Sequence, residues 1–132
     1  MSRRSSETFR PTEAELEILH VLWARGPSTV RDVHDALYRK QGGGYTNALK
    51  LLQVMHAKGL VVRDDAQRAH IYRAAHSKGR TQRRFLNDLV ARVFDGSRAD
   101  LVLQALGGQR ASRDEIEAIR TLLDRLDEES PP

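Results

Sequence analysis

Residues 42–74 read GGGYTNALKLLQVMHAKGLVVRDDAQRAHIYRA. The glycines interrupt whatever precedes them. From Thr46 to Lys58, Ala48, Leu51, Leu52 and Met55 recur at the spacing of one helical face, and Thr46, Asn47, Lys50, Gln53, Val54 and Ala57 fall on the other. The runs LVVRDD and AHIYRA alternate apolar and polar residues on either side of the turn-prone Asp64-Asp65-Ala66-Gln67-Arg68, the pattern of a hairpin. A mildly charged amphipathic helix thus leads directly into a small basic hairpin.

Two further helices precede this stretch. Thr12 and Glu15 have the spacing of a capping box, and Leu16, Ile18, Leu19, Leu22 and Trp23 share one wide helical face before Gly26-Pro27 ends it. Val30, Val33 and Leu37 then mark a second, shorter helix, flanked by Ala36 and Tyr38 and broken by the glycines. Three helices followed by a hairpin is the plan of a winged helix-turn-helix, mostly α with a small β-hairpin wing. In that plan the third helix enters the major groove, where hydrogen-bonding side chains of short or medium reach serve base edges better than a wall of lysines. Thr46, Asn47, Lys50 and Gln53 meet that description, and Arg63, Arg68 and Arg73 lie on or beside the hairpin, where a wing meets phosphates. The competing reading is that these residues are simply the solvated side of a surface helix, and the hairpin favours DNA.

Beyond the wing, Phe85, Leu86, Leu89, Val90 and Val93 share one face of a long helix whose first half carries Arg80, Arg83 and Arg84. SRADLVLQALGG reads as a short apolar helix. Ser112 and Glu115 open another with capping-box spacing, and Ile116, Ile119, Leu123 and Leu126 follow at intervals of three, four and three, a seam suited to another helix. Such a seam either pairs with a second chain or folds back on the winged domain. Dimerisation through Phe85, Leu86, Leu89, Val93, Ile116, Ile119, Leu123 and Leu126 is the expectation adopted.

Composition limits the alternatives. At 132 residues and 39% hydrophobic content the chain can bury one modest core, so a winged domain over residues 1–76, with a basic arm at 1–10, and a helical dimerisation region over 77–132 are expected. No run of eighteen apolar residues and no apolar segment after the basic N-terminus occurs, so neither a membrane span nor a secretory signal is expected, and the location expected is cytoplasmic. Residues 1–110 hold 19 Lys+Arg against 11 Asp+Glu, whereas residues 111–132 hold 3 against 7, so a basic body precedes an acidic end. A basic body favours a polyanionic partner. There is no cysteine, no G-x-S-x-G, no H-E-x-x-H and no phosphate loop, and the five histidines do not cluster. No enzymatic activity, cofactor or metal is therefore expected.

Several segments carry a family resemblance: Leu22-Trp23, Val30-Arg31-Asp32-Val33, Tyr45-Thr46, Leu51-Leu52-Gln53, Lys58-Gly59-Leu60 and Arg68-Ala69-His70. In this order, from about Thr12 to Leu126, the chain resembles the penicillinase-repressor (BlaI/MecI/CopY) family of bacterial transcriptional regulators. The resemblance implies a homodimeric winged-helix repressor of a palindromic double-stranded DNA operator, relieved by a signalling protease or another inducer. It places Tyr45, Thr46, Asn47, Lys50 and Gln53 on the start and exposed face of the recognition helix, and Arg68 at the wing. Two departures stand out. Asn47 replaces the usual second threonine, which bears on the operator sequence, and Leu103-Gln104-Ala105 stands where the best-known members carry an Asn-Phe cleavage bond. The cysteine cluster of the copper-responsive branch is also missing. A rival of another class is a winged-helix protein-interaction module without sequence-specific DNA binding, for which weak or salt-insensitive duplex binding would speak.

Overall fold

The structure, a computed structural model, describes residues 11–38, 44–108 and 110–130; the basic arm at 1–10 lies outside them. The chain divides into two compact units between Leu86 and Asn87. That division falls ten residues beyond the 76/77 boundary expected from sequence, inside a continuous helix.

Among the described residues the first unit begins with α1 (Glu13–Arg25), fixed at its start by the expected capping box. The Thr12 hydroxyl accepts from the Glu15 amide at 3.2 Å, and the Glu15 carboxylate accepts from the Thr12 amide at 2.8 Å. Gly26, at φ +89°, stops the helix in a conformation that a Cβ disfavours. The chain then forms β1 (Ser28–Thr29) and turns into α2 (Val30–Leu37). Thr29 ends the strand and also caps the helix, exchanging hydrogen bonds with Asp32 at 3.0 and 3.1 Å. The Thr29 amide lowers the pKa of the Asp32 carboxyl, outweighing the opposite effect of partial burial, with the Thr29 hydroxyl and Arg25 adding to it.

α3 (Tyr45–Lys58) begins at Gly44 without a side-chain cap and ends at Gly59, which adopts the left-handed φ of +82°. The amides of Gly59 and Leu60 reach back to carbonyls of the last turn, so the chain reverses immediately into β2 (Val61–Asp64) and β3 (Ile71–Ala74). All strands are antiparallel, in the order β1-β3-β2. The wing is thus a three-stranded sheet rather than the isolated hairpin read from sequence. A two-residue strand has no period to detect, and Ser28-Thr29 also serves the following cap.

Ile18, Leu19 and Leu22 of α1, Val30 and Val33 of α2, Ala48, Leu52 and Met55 of α3, with Leu60, Val61 and Tyr72, form one buried cluster. Side chains of this kind contribute roughly 1.5–3 kcal/mol each when removed from water. Leu51, expected inward, is only partly buried at the edge of this core. Two polar contacts tie distant segments together. Lys58 at the end of α3 places its Nζ 3.0 Å from both oxygens of Glu15, whose side chain is 2% exposed. The Trp23 indole donates to the carbonyl of His76 at 2.9 Å, fixing the segment that leaves β3.

α4 (Lys78–Val93) continues across the division into the second unit, which also contains α5 (Arg98–Gly108) and α6 (Arg113–Glu129). The Ser112–Glu115 capping box forms as expected. Between α4 and α5, Asp95 and Gly96 adopt positive φ and the Gly96 amide donates to the Val90 carbonyl at 2.9 Å. Among the described residues of this unit Val90 alone is a buried hydrophobic, while Val93, Leu103, Leu123 and Leu126 are 63%, 68%, 56% and 48% exposed.

Candidate nucleic-acid interface

The two faces of α3 separate sharply. Ala48, Leu52 and Met55 are completely buried, whereas Tyr45, Thr46, Asn47, Lys50 and Gln53 are all exposed. The intervals that send the apolar residues inward therefore put the hydrogen-bonding residues on one solvent-facing stripe. Val54, 40% exposed, and Ala57 lie on the same side and give that stripe an apolar border.

The wing arginines do not form one group. Strand register pairs Arg63 with Tyr72 and Val62 with Arg73, so Arg63 lies on the core-facing side of the sheet and Arg73 on the outer side. The Arg63 Nε lies 2.7 Å from the Asp65 carboxylate, and the neighbouring Tyr72 hydroxyl and this carboxylate raise its pKa, the tyrosine more than the aspartate. It is engaged inside the hairpin. Arg68 stands in the turn joining β2 to β3, a turn braced by the Ala66 amide donating to Asp64 at 2.9 Å. Asp65 also approaches the His70 ring at 3.6 Å.

The beginning of α3 meets α2 and the wing around a shallow concavity of about 490 Å³ lined by Arg31, Tyr45, Leu49, Arg68 and His70 among others. The Tyr45 ring is bracketed there. The Arg31 guanidinium carbon lies 5.4 Å from its centroid, and the His34 ring lies 6.2 Å away. The fold thus brings Tyr45 and Arg68 together, keeps Thr46, Asn47, Lys50 and Gln53 on the adjoining helical stripe, turns Arg63 inward and sets Arg73 on the outer sheet face. Arg31 and His70 were not singled out from the sequence as site residues. For Arg31 a signal existed: a cation in the first turn of a helix opposes the helix dipole, which favours acidic residues there.

The eight residues assigned to a seam divide by exposure. Phe85, Leu86, Val93, Ile116, Leu123 and Leu126 are exposed large hydrophobics, whereas Leu89 and Ile119 are half-buried. No helix among the described residues is long and apolar enough to cross a membrane.

Comparison with known proteins agrees with this architecture. A transcriptional regulator BlaI from Mycobacterium tuberculosis is 32% identical over 117 residues, spanning 87% of this chain and 83% of its own length. The methicillin resistance regulatory protein MecI of Staphylococcus aureus is 21% identical over 124 residues, covering 91% of this chain and 98% of its own. In structure, the chain is similar to a homodimeric winged helix-turn-helix DNA-binding domain from Mycobacterium bovis, described as a possible ArsR-family regulator. The TM-score is 0.50 at 21% identity, with 85% of this chain and 87% of the other covered, a likeness of fold. The profile of the penicillinase repressor family matches residues 11–125, nearly the whole chain. The winged core, the exposed stripe of α3 and this match together make the chain a member of the penicillinase repressor family of transcriptional regulators.

Proposed function

We propose that the protein is a cytoplasmic transcriptional repressor that binds a palindromic operator as a homodimer. The observation that carries this reading is the solvent-facing row of Tyr45, Thr46, Asn47, Lys50 and Gln53 on α3, next to a wing whose tip presents Arg68. Lys50 and Gln53 read base edges, Thr46 and Asn47 work near the start of the helix, and Arg68 anchors a phosphate. Arg73 reaches the backbone from the outer face of the sheet. Arg63 supports the wing rather than touching DNA, because it is already paired with Asp65 and lies on the same sheet face as the buried Tyr72.

Pairing runs through the exposed apolar residues of α4 and α6. A two-fold axis between two chains presents two recognition helices to half-sites about one helical turn, or a small multiple of it, apart. The signal that releases the repressor acts by a route other than cleavage of an Asn-Phe bond, since α5 reads Leu103-Gln104-Ala105 at that place.

Salt titration of duplex binding tests the central claim. About eight phosphate contacts per dimer give a slope of log K against log salt near −7, at about −0.9 per phosphate. A slope flatter than about −2 would assign the winged domain to protein docking instead.

A further inference from the structure

We propose that Arg31 of α2 and Arg68 of the wing form a two-pronged clamp for a single DNA backbone phosphate, with the Tyr45 ring as the platform that holds Arg31 in place. The clamp is a site additional to the α3 stripe and rests on the DNA-binding reading above. Its basis is the concavity where the start of α2, the first turn of α3 and the wing tip converge. Arg31 and Arg68 line it from elements 37 residues apart in sequence, which is why no local motif reveals the pair.

Three features assign phosphodiester as the ligand class. First, the Arg31 guanidinium lies 5.4 Å from the centroid of Tyr45, which constrains the group without using its N–H donors, leaving them for a phosphate. Second, among the described residues neither Arg31 nor Arg68 has a carboxylate partner, whereas the neighbouring acids are occupied. Asp32 caps α2 through Thr29 and lies 4.0 Å from Arg25, and Asp65 holds Arg63. Third, Arg31 occupies the first turn of α2, where the helix dipole disfavours a cation. A side chain that opposes its local electrostatics gains when an anion arrives. A phosphate seated here lies beside the N-terminus of α3 and fixes how the base-reading stripe enters the groove, the role phosphate contacts serve in register.

The test uses the full-length protein and two 30-base-pair duplexes, one selected by the wild type from a random library and one scrambled to the same composition. Arg31→Ala is expected to weaken binding to both by a similar factor, about tenfold, as for loss of a charge-assisted contact. The salt slope should become shallower by about 2, one phosphate for each half of a dimer. Arg31→Lys keeps most of the slope, because the charge remains although the planar group is lost. On a Tyr45→Ala background, Arg31→Ala should cost far less, giving a non-additive cycle. An unchanged slope, a loss confined to the selected duplex, or an additive cycle overturns the clamp while leaving the repressor reading intact. A change in urea midpoint without a change in slope also overturns it, by showing that the arginine–tyrosine contact is purely structural. A wild type that binds neither duplex in a salt-dependent way sinks both readings, so the two failures are distinguishable.

Discussion

The two units of this chain treat their apolar residues in opposite ways. In the winged unit, Ile18, Val33, Ala48, Leu52, Met55 and Tyr72 are completely covered by side chains of the same unit. Among the described residues after Leu86, only Val90 is a buried hydrophobic, and Leu103, Val93 and Leu123 stand more than half exposed. The winged unit is a sheet backed by three helices and can enclose a core by itself. The second unit consists of the end of α4 with α5 and α6, too little chain for a separate core. In the dimer proposed above, a second chain covers these apolar residues, which would couple the folding of this unit to assembly.

The largest effect should follow from attacking that second surface. Ile119→Asp with Leu123→Asp is expected to lower the dimer fraction in sedimentation velocity and to reduce operator affinity by about 10²- to 10⁴-fold, because the second half-site is no longer bound intramolecularly. A monomeric variant that binds as tightly as the parent would break the comparison. Truncation sharpens it. A chain ending at Leu86 should remain folded and monomeric, whereas one ending at Ala75 loses the carbonyl that accepts from Trp23 and should be less stable by about 1 kcal/mol or more.

Within the winged unit, Lys58→Met leaves the buried Glu15 carboxylate, among the described residues, with only the Thr12 amide. A loss of about 2–3 kcal/mol in urea unfolding is expected, somewhat below the range for fully buried pairs because the Lys58 side chain is 32% exposed. Adding Glu15→Met should restore part of it by removing the stranded charge, although the helix cap is then lost. If Lys58→Met were silent, α1 and α3 would be held by apolar contacts alone.

On the α3 stripe, Lys50→Ala or Gln53→Ala should cost roughly 1–3 kcal/mol on the operator and relax base preference locally, while Arg68→Ala weakens all sequences alike. Equal losses on specific and random duplexes for both classes would remove α3 from the groove.

A smaller effect is expected from pH. Burial, with Arg80 and Arg84 nearby, lowers the pKa of His76 below its usual value of 6.5. The unfolded chain therefore takes up the proton first, so stability is full above about pH 6.5 and declines as pH falls towards the folded value. Asp32 acts in a lower window: its depressed pKa adds stability above its unfolded value of 3.8, which is lost as pH falls through the folded value. Urea midpoints between pH 7.5 and 5.5 should flatten in His76→Gln, and an unchanged profile would remove His76 as the cause. The smallest expected effect is none. A metalloprotease specific for Asn-Phe should leave the mass of the protein unchanged, and a product cut within residues 101–106 would restore cleavage as the releasing event.

How much of this was legible in the sequence depended on range. Capping boxes at Thr12–Glu15 and Ser112–Glu115 are three-residue patterns whose partners are adjacent by construction of the helix, and both form. The inner and outer faces of α3 follow from a single period, and its exposed residues emerge where expected. The wing arginines were legible only as a group. That Arg63 and Arg73 lie on opposite faces depends on cross-strand register, which a turn of uncertain length leaves open.

Sequence by itself determined the order of the helices and the hairpin, most of the apolar face of each winged-unit helix and the family, because these rest on local periodicity and on residue types at fixed intervals. Tertiary structure alone decided that Ser28-Thr29 joins the sheet beside β3, that Lys58 closes on Glu15 and Trp23 on His76, and that Arg31 comes to rest over Tyr45 near Arg68. Each of those contacts joins residues far enough apart along the chain that only the packing of helices and sheet around one core fixes the distance between them.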